Sequence, residues 1–113
     1  MPDVIIMGSG PAGISAALYT ARAGLSTLIV SSGAGALEKT DKIENYYGFP
    51  EPVSGGELLK NGIRQARRVG VSVSREEVVG LSFDGEFRVE TRKGVHRAPL
   101  AVLATGVSRT APR

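Results

Sequence analysis

Gly8-Ser9-Gly10-Pro11-Ala12-Gly13 places glycine at the offsets G-x-G-x-x-G. In a dinucleotide-binding turn each glycine has its own task. Gly8 permits a tight turn, Gly10 lets a pyrophosphate approach the backbone, and Gly13 lets a helix pack closely on a strand. The pattern alone is weak, and its context decides. Here it follows the apolar run Val4-Ile5-Ile6-Met7 and precedes an alanine-rich stretch opened by Pro11. That is strand, loop, helix, and the helix start offers N–H groups and a partial positive charge to phosphate. A site of this kind expects an acidic residue at the end of the next strand, to hold the adenosine ribose. Ser31, followed by Ser32 and Gly33, stands there instead. Simple NAD binding loses its anchor. Two alternatives stay open: NADP, with hydroxyls and Lys39 near a 2′-phosphate, or FAD held by a loop that wraps the ribose with its backbone.

Other chemistry-bearing residues form no second constellation. His96 is the only histidine, so neither a triad nor a histidine-based zinc site exists, and an exposed strand edge is expected for it. Glu76-Glu77 lies on a period-two segment, which points adjacent carboxylates to opposite faces and spoils them as an acid/base couple. A solvated strand start is expected there. Tyr46, Tyr47 and Phe49 read as a packed loop anchor rather than a stacking platform. The absence of cysteine removes disulfides, Cys-based zinc sites and an internal redox dithiol. No catalytic residue and no metal ligand set is expected.

The formal net charge of +3 is unevenly spread. Residues 1–63 hold four basic and six acidic residues, whereas residues 64–113 hold ten and five. After Glu90 come Arg92, Lys93, Arg97, Arg109 and Arg113 with no acid and no interleaved Phe, Trp or Tyr to stack a base. A solvated basic end is expected, not nucleic-acid binding. The apolar runs fall far short of the ~20 residues of a membrane span. Met1-Pro2-Asp3 lacks the basic region of a signal peptide. A cytoplasmic domain, with no membrane partner, is the expectation.

Strands and helices must position the glycine loop, and the 113 residues suffice for one domain. Strands are expected near 3–7, 26–31, 71–74 and 100–105, with helices at about 11–23 and 54–69. Val4–Met7 and Leu100–Ala104 have the continuous apolar composition of parallel strands buried on both faces. Gly24 and Gly70 stop the helices, and Ser54 with Glu57 fits a capping box. Residues 31–53 read as a long functional loop. Alternation then gives a small antiparallel β-meander over about 77–97, with turns at Asp84-Gly85 and Lys93-Gly94 and with Phe87, Val89 and Thr91 on one face. The fold class is α/β: a parallel sheet with helices and a meander, its last strand leaving an open edge.

Gly8–Gly13, Gly35-Ala36-Leu37, Ile43-Glu44-Asn45-Tyr46-Tyr47-Gly48-Phe49-Pro50, Ser54-Gly55 with Glu57-Leu58, and Ala104-Thr105-Gly106 recur in one order. In that order and spacing the chain resembles the N-terminal part of the FAD-binding domain of the low-molecular-weight thioredoxin reductases, within the class II pyridine nucleotide-disulfide oxidoreductases. The E-N-Y-x-G-F-P element is far more specific than the glycine loop. Alkyl hydroperoxide reductase flavoproteins and thioredoxin reductase-type ferredoxin–NADP reductases are similar more loosely.

The resemblance implies a Rossmann-like three-layer FAD-binding domain over residues 1–113. It implies that Gly8, Ser9, Gly10, Pro11, Ala12 and Gly13 serve the FAD pyrophosphate and that Ser31 and Ser32 face the adenosine ribose. Gly35, Ala36 and Leu37 would line the path to the flavin, Asn45 would meet the riboflavin end, Val78 would touch adenine through its backbone, and Thr105-Gly106 would pass close to the cofactor. Ala36 stands where the family commonly has glutamine, and Tyr47 where it has proline. The family's NADPH domain, its Cys-x-x-Cys dithiol, and the returning strand and helix that close the FAD domain are not among these residues. The expected function is therefore the FAD-binding portion of a flavoprotein that moves electrons from NADPH to a disulfide. The alternative is a stand-alone NADP- or nucleotide-binding module without catalysis. An open sheet edge also invites a homodimer or a complementing segment.

Overall fold

The computed structural model describes residues 1–32, 48, 50–52 and 54–104. Along them run β1 (Val4–Met7), α1 (Pro11–Arg22), β2 (Thr27–Ser31), α2 (Gly55–Arg68), β3 (Ser72–Arg75), β4 (Val78–Phe83), β5 (Phe87–Thr91), β6 (Gly94–Ala98) and β7 (Leu100–Leu103). The expected elements are present, with ends differing by a residue or two. The fold is α/β and Rossmann-like.

All four residues of β1 are buried. A strand with no solvated face needs cover on both sides, and alternation divides its side chains between two cores. Val4 and Ile6 join Ile14 and Ala17 of α1, Ala66 of α2, Ile29 and Val71. Ile5 and Met7 point the other way and join Val30, Val89 and Ala98, with Val78 packed at the margin. Helices, parallel sheet and meander are the resulting three layers. The four-stranded sheet has the order β3-β2-β1-β7, every pair parallel, and the three-stranded one the order β4-β5-β6, both pairs antiparallel.

Both helices stop the same way. At α1 the Gly24 N–H reaches the Ala21 carbonyl and the Leu25 N–H reaches that of Thr20, each at 3.0 Å. At α2 Gly70 and Val71 repeat this on Arg67 and Ala66 at 3.1 Å. This is the Schellman arrangement, which needs a left-handed residue at the glycine. Gly24 and Gly70 have φ of +87° and +94°. The meander turns at Asp84-Gly85-Glu86, where Gly85 has φ +89° and the Asp84 N–H donates to the Glu86 carbonyl at 3.0 Å. The next turn falls on Arg92-Lys93, one residue earlier than the Lys93-Gly94 expectation, because Thr91 pairs with Gly94.

Candidate dinucleotide-binding site

The chain builds β2 and β3 to one side of β1 and later places β7 on the other. Strand order thus reverses beside β1, and the carboxyl end of the strand at such a switch point is where open α/β sheets bind ligands. Gly8–Gly13 occupies that position.

The three glycines are glycine for three different reasons. Gly8 has φ +122°, a backbone that a side chain resists, and its N–H donates to the Val30 carbonyl at 2.9 Å. At Gly13 a Cβ would collide with the Gly8 carbonyl oxygen and sit 2.9 Å from its carbon. Close helix–strand packing excludes any side chain there. Gly10 obeys neither reason. Its φ of −74° and ψ of −174° suit any residue, and an added Cβ would meet no heavy atom within 4 Å among the described residues. Neither backbone strain nor packing among the described residues accounts for its glycine.

The two helix starts differ in the same sense. At α2 the Ser54 hydroxyl accepts from the Glu57 N–H at 3.1 Å, and Glu57 stands in the first turn. That end carries its own acceptor and its own negative charge. At α1 Gly10 brings no side-chain cap, Pro11 occupies the first turn, and no acidic residue lies there. Among the described residues, the start of α1 thus has neither the side-chain acceptor nor the negative charge that α2 carries.

Ser31 ends β2, half-buried, and its hydroxyl accepts from the hydroxyl of buried Ser9 at 2.8 Å. The glycine loop and the expected ribose position are therefore joined directly. Ser32 is exposed beside them, as are Pro11 and Ala12. The Ser31 carbonyl accepts from the Glu76 N–H at 3.0 Å, which brings the connection between β3 and β4 to the same place. Val78 follows two residues later, half-buried at the start of β4. Gly8, Ser9, Gly10, Pro11, Ala12, Gly13, Ser31, Ser32 and Val78 thus gather at the carboxyl ends of β1 and β2 or on the segment tied to them. Gly35, Ala36, Leu37, Asn45, Thr105 and Gly106 lie outside the described residues, as do Lys39, Tyr46, Tyr47, Phe49, Arg109 and Arg113.

Glu76 and His96 correct the sequence expectation. Glu76 is no solvated strand start: its side chain is only 8% exposed. Its carboxylate accepts from the hydroxyl of Ser74 and, at 2.5 Å, from that of Thr91. His96 is no exposed edge residue either; it is partly buried with Nε2 3.1 Å from both Glu76 oxygens. The Ser74 and Thr91 hydroxyls, and then His96, pull the Glu76 pKa from 4.5 down to about 2. The sequence did hold a signal. Val89 and Thr91 face inward, and a two-residue turn at Arg92-Lys93 sets His96 opposite Val89 on that same face. Glu77, Glu90 and Glu86 meet Arg92, Arg88 and Arg97 at 2.8, 4.0 and 3.0 Å, so several basic groups of the C-terminal half have acidic partners.

Comparison with known proteins adds identity to this geometry. Residues 2–113 match the pyridine nucleotide-disulphide oxidoreductase family. The thioredoxin reductase of Streptomyces coelicolor is 42% identical over 109 residues, covering 92% of this chain and 34% of that protein. Among solved structures, the atypical thioredoxin reductase TRi from Desulfovibrio vulgaris Hildenborough superposes with a TM-score of 0.90 at 44% identity, over 99% of this chain and 38% of that one. A thioredoxin reductase from Gloeobacter violaceus gives 0.91 at 43% identity, over 98% and 36%. The chain spans about a third of the length of the curated relatives it matches.

Proposed function

The chain belongs to the pyridine nucleotide-disulphide oxidoreductase family, and from that premise we propose that it is the FAD-binding portion of a thioredoxin reductase-like flavoprotein. The observation that carries the proposal is the open space at Gly10, beside a helix start with no acid of its own. A pyrophosphate supplies both the volume and the negative charge that this corner lacks. The backbone of Gly8–Gly13 would hold the diphosphate, Ser31 and Ser32 the adenosine ribose, and the main chain at Val78 the adenine. Gly35, Ala36, Leu37, Asn45, Thr105 and Gly106 complete the proposed path toward the flavin. Bound FAD would supply the electron-carrying ring, while the protein supplies binding, orientation and electrostatics. The electron source in this reading is NADPH and the acceptor a disulfide, both handled by parts other than these residues, which contain no cysteine. Among the described residues no helix is long and apolar enough to cross a membrane, and we place the activity in the cytoplasm.

Titration of the purified chain with FAD, and separately with NADP, followed by absorbance and equilibrium dialysis, tests this. Saturable FAD binding, weakened about tenfold or more (~1.4 kcal/mol) by Gly10→Ala in a chain that still folds, is the expected result. Binding of NADP with none of FAD would instead favour the stand-alone nucleotide module.

A further inference from the structure

Glu76 joins more elements than any role in nucleotide contact requires. Its N–H bonds the end of β2 at Ser31, and its carboxylate takes hydroxyl bonds from Ser74 on β3 and Thr91 on β5 and faces His96 on β6. One residue therefore fastens the parallel sheet to the meander. Burying a carboxylate is costly unless its lone pairs are filled, and an apolar side chain would fill space at lower cost. What the filled carboxylate adds is direction: its bonds fix where the backbone around it can lie. That backbone leads into Val78 at the start of β4, and the Glu76 N–H ties it to Ser31, whose hydroxyl accepts from that of Ser9.

We propose that Glu76 is a positioning residue for the adenosine end of the nucleotide, holding Ser31 and the main chain leading into Val78 in one frame through Thr91 and His96; this rests on the reading of the site as an FAD cradle. Glu76 touches no ligand in this scheme. Thr91 and His96, remote from Ser31 in sequence, transmit the register of the meander to the ribose corner. Loss of the tie is felt at the adenosine end and not at the flavin end.

The test uses ADP and FMN as probes of the two ends, with FAD as the whole ligand, on the 113-residue chain and its variants Glu76→Gln, Thr91→Val and Thr91→Ser. Expected are an affinity for ADP and FAD lower by about tenfold in Glu76→Gln and Thr91→Val, and an FMN affinity within about twofold of wild type. Thr91→Ser, which restores the hydroxyl, recovers the ADP affinity. Amide hydrogen exchange without ligand should quicken at residues 31 and 76–78 in the first two variants and stay unchanged along β1. Unchanged ADP binding in a folded Glu76→Gln chain overturns the assignment. So does an equal fall for ADP and FMN, which marks a general structural role. Wild-type chain that binds none of the three removes the FAD reading itself and the adenosine assignment with it, whereas failure of the variants alone leaves that reading in place.

Discussion

A methyl group added at Gly13 and one added at Gly10 meet opposite surroundings, though only three positions separate them. At Gly13 it would strike the Gly8 carbonyl, so Gly13→Ala must part α1 from the β1 turn and is expected to cost about 1–3 kcal/mol, as other overpacked sites do. Urea unfolding checks it: a midpoint equal to wild type would mean that the helix and the turn are not in contact. At Gly10 the gain in chain stiffness offsets the poorer helix cap, and the stability of Gly10→Ala should stay within about 1 kcal/mol of wild type. Glu76 makes a prediction of a different kind. Folding lowers its pKa from 4.5 to about 2, so between these values the unfolded chain binds more protons than the folded one. Stability from this group is complete above pH 4.5 and drains away as pH falls toward 2. His96 is the titratable side chain in contact with it; Ser74 and Thr91 carry no charge. The urea midpoint of wild type should drop more steeply between pH 5 and 3 than that of Glu76→Gln, and parallel slopes would assign the acid sensitivity elsewhere.

Helix ends show at the level of elements how local chemistry divides structure from site. Ser54 and Glu57 close the start of α2, and Ser54→Ala should destabilise the fold by about 1 kcal/mol with no change in nucleotide affinity. Denaturation together with FAD titration checks both halves of that statement; a loss of affinity would draw α2 into the site. The Ser54 cap, the stop glycines and the Asp84-Gly85 turn were legible in the sequence because each is written within a few neighbouring residues. The buried β1 was legible for a related reason, since an unbroken apolar run allows no solvated face. Glu76 and His96 were misjudged because their partners lie 15 and 20 residues away. Whether a lone carboxylate is solvated or buried depends on which strands meet above it, and those pairings join residues far apart in sequence. The site was legible to the extent that backbone conformation and close packing explain Gly8 and Gly13. At Gly10 the sequence suggested a ligand, and only the structure shows that described packing does not require the glycine.

At the scale of the whole molecule, the parallel sheet ends on two unlike strands. At one end of the parallel sheet β3 presents exposed Ser72 and Arg75, polar groups that discourage pairing with another strand. At the other end is β7, with no further strand beside it among the described residues, where Leu100 and Leu103 are 52% and 69% exposed. An edge flanked by apolar side chains is a template for a further strand, and of the two ends of the parallel sheet β7 is the apolar one among the described residues. The layered fold gives the reason for its composition: β7 pairs with β1 at the centre and must be apolar on the faces that α1 and the meander approach, as Val102 and Ala101 are. The same composition leaves its flanks unprotected. Self-association of this chain through β7 is therefore expected, rising with concentration. Leu103→Lys should weaken it by several-fold, through charge placed at the apolar edge, whereas Arg75→Ala at the β3 edge should leave it unchanged. Sedimentation velocity over a concentration series distinguishes the two edges. Equal association in wild type and Leu103→Lys would mean that copies meet on another surface, or that the β7 edge is already covered.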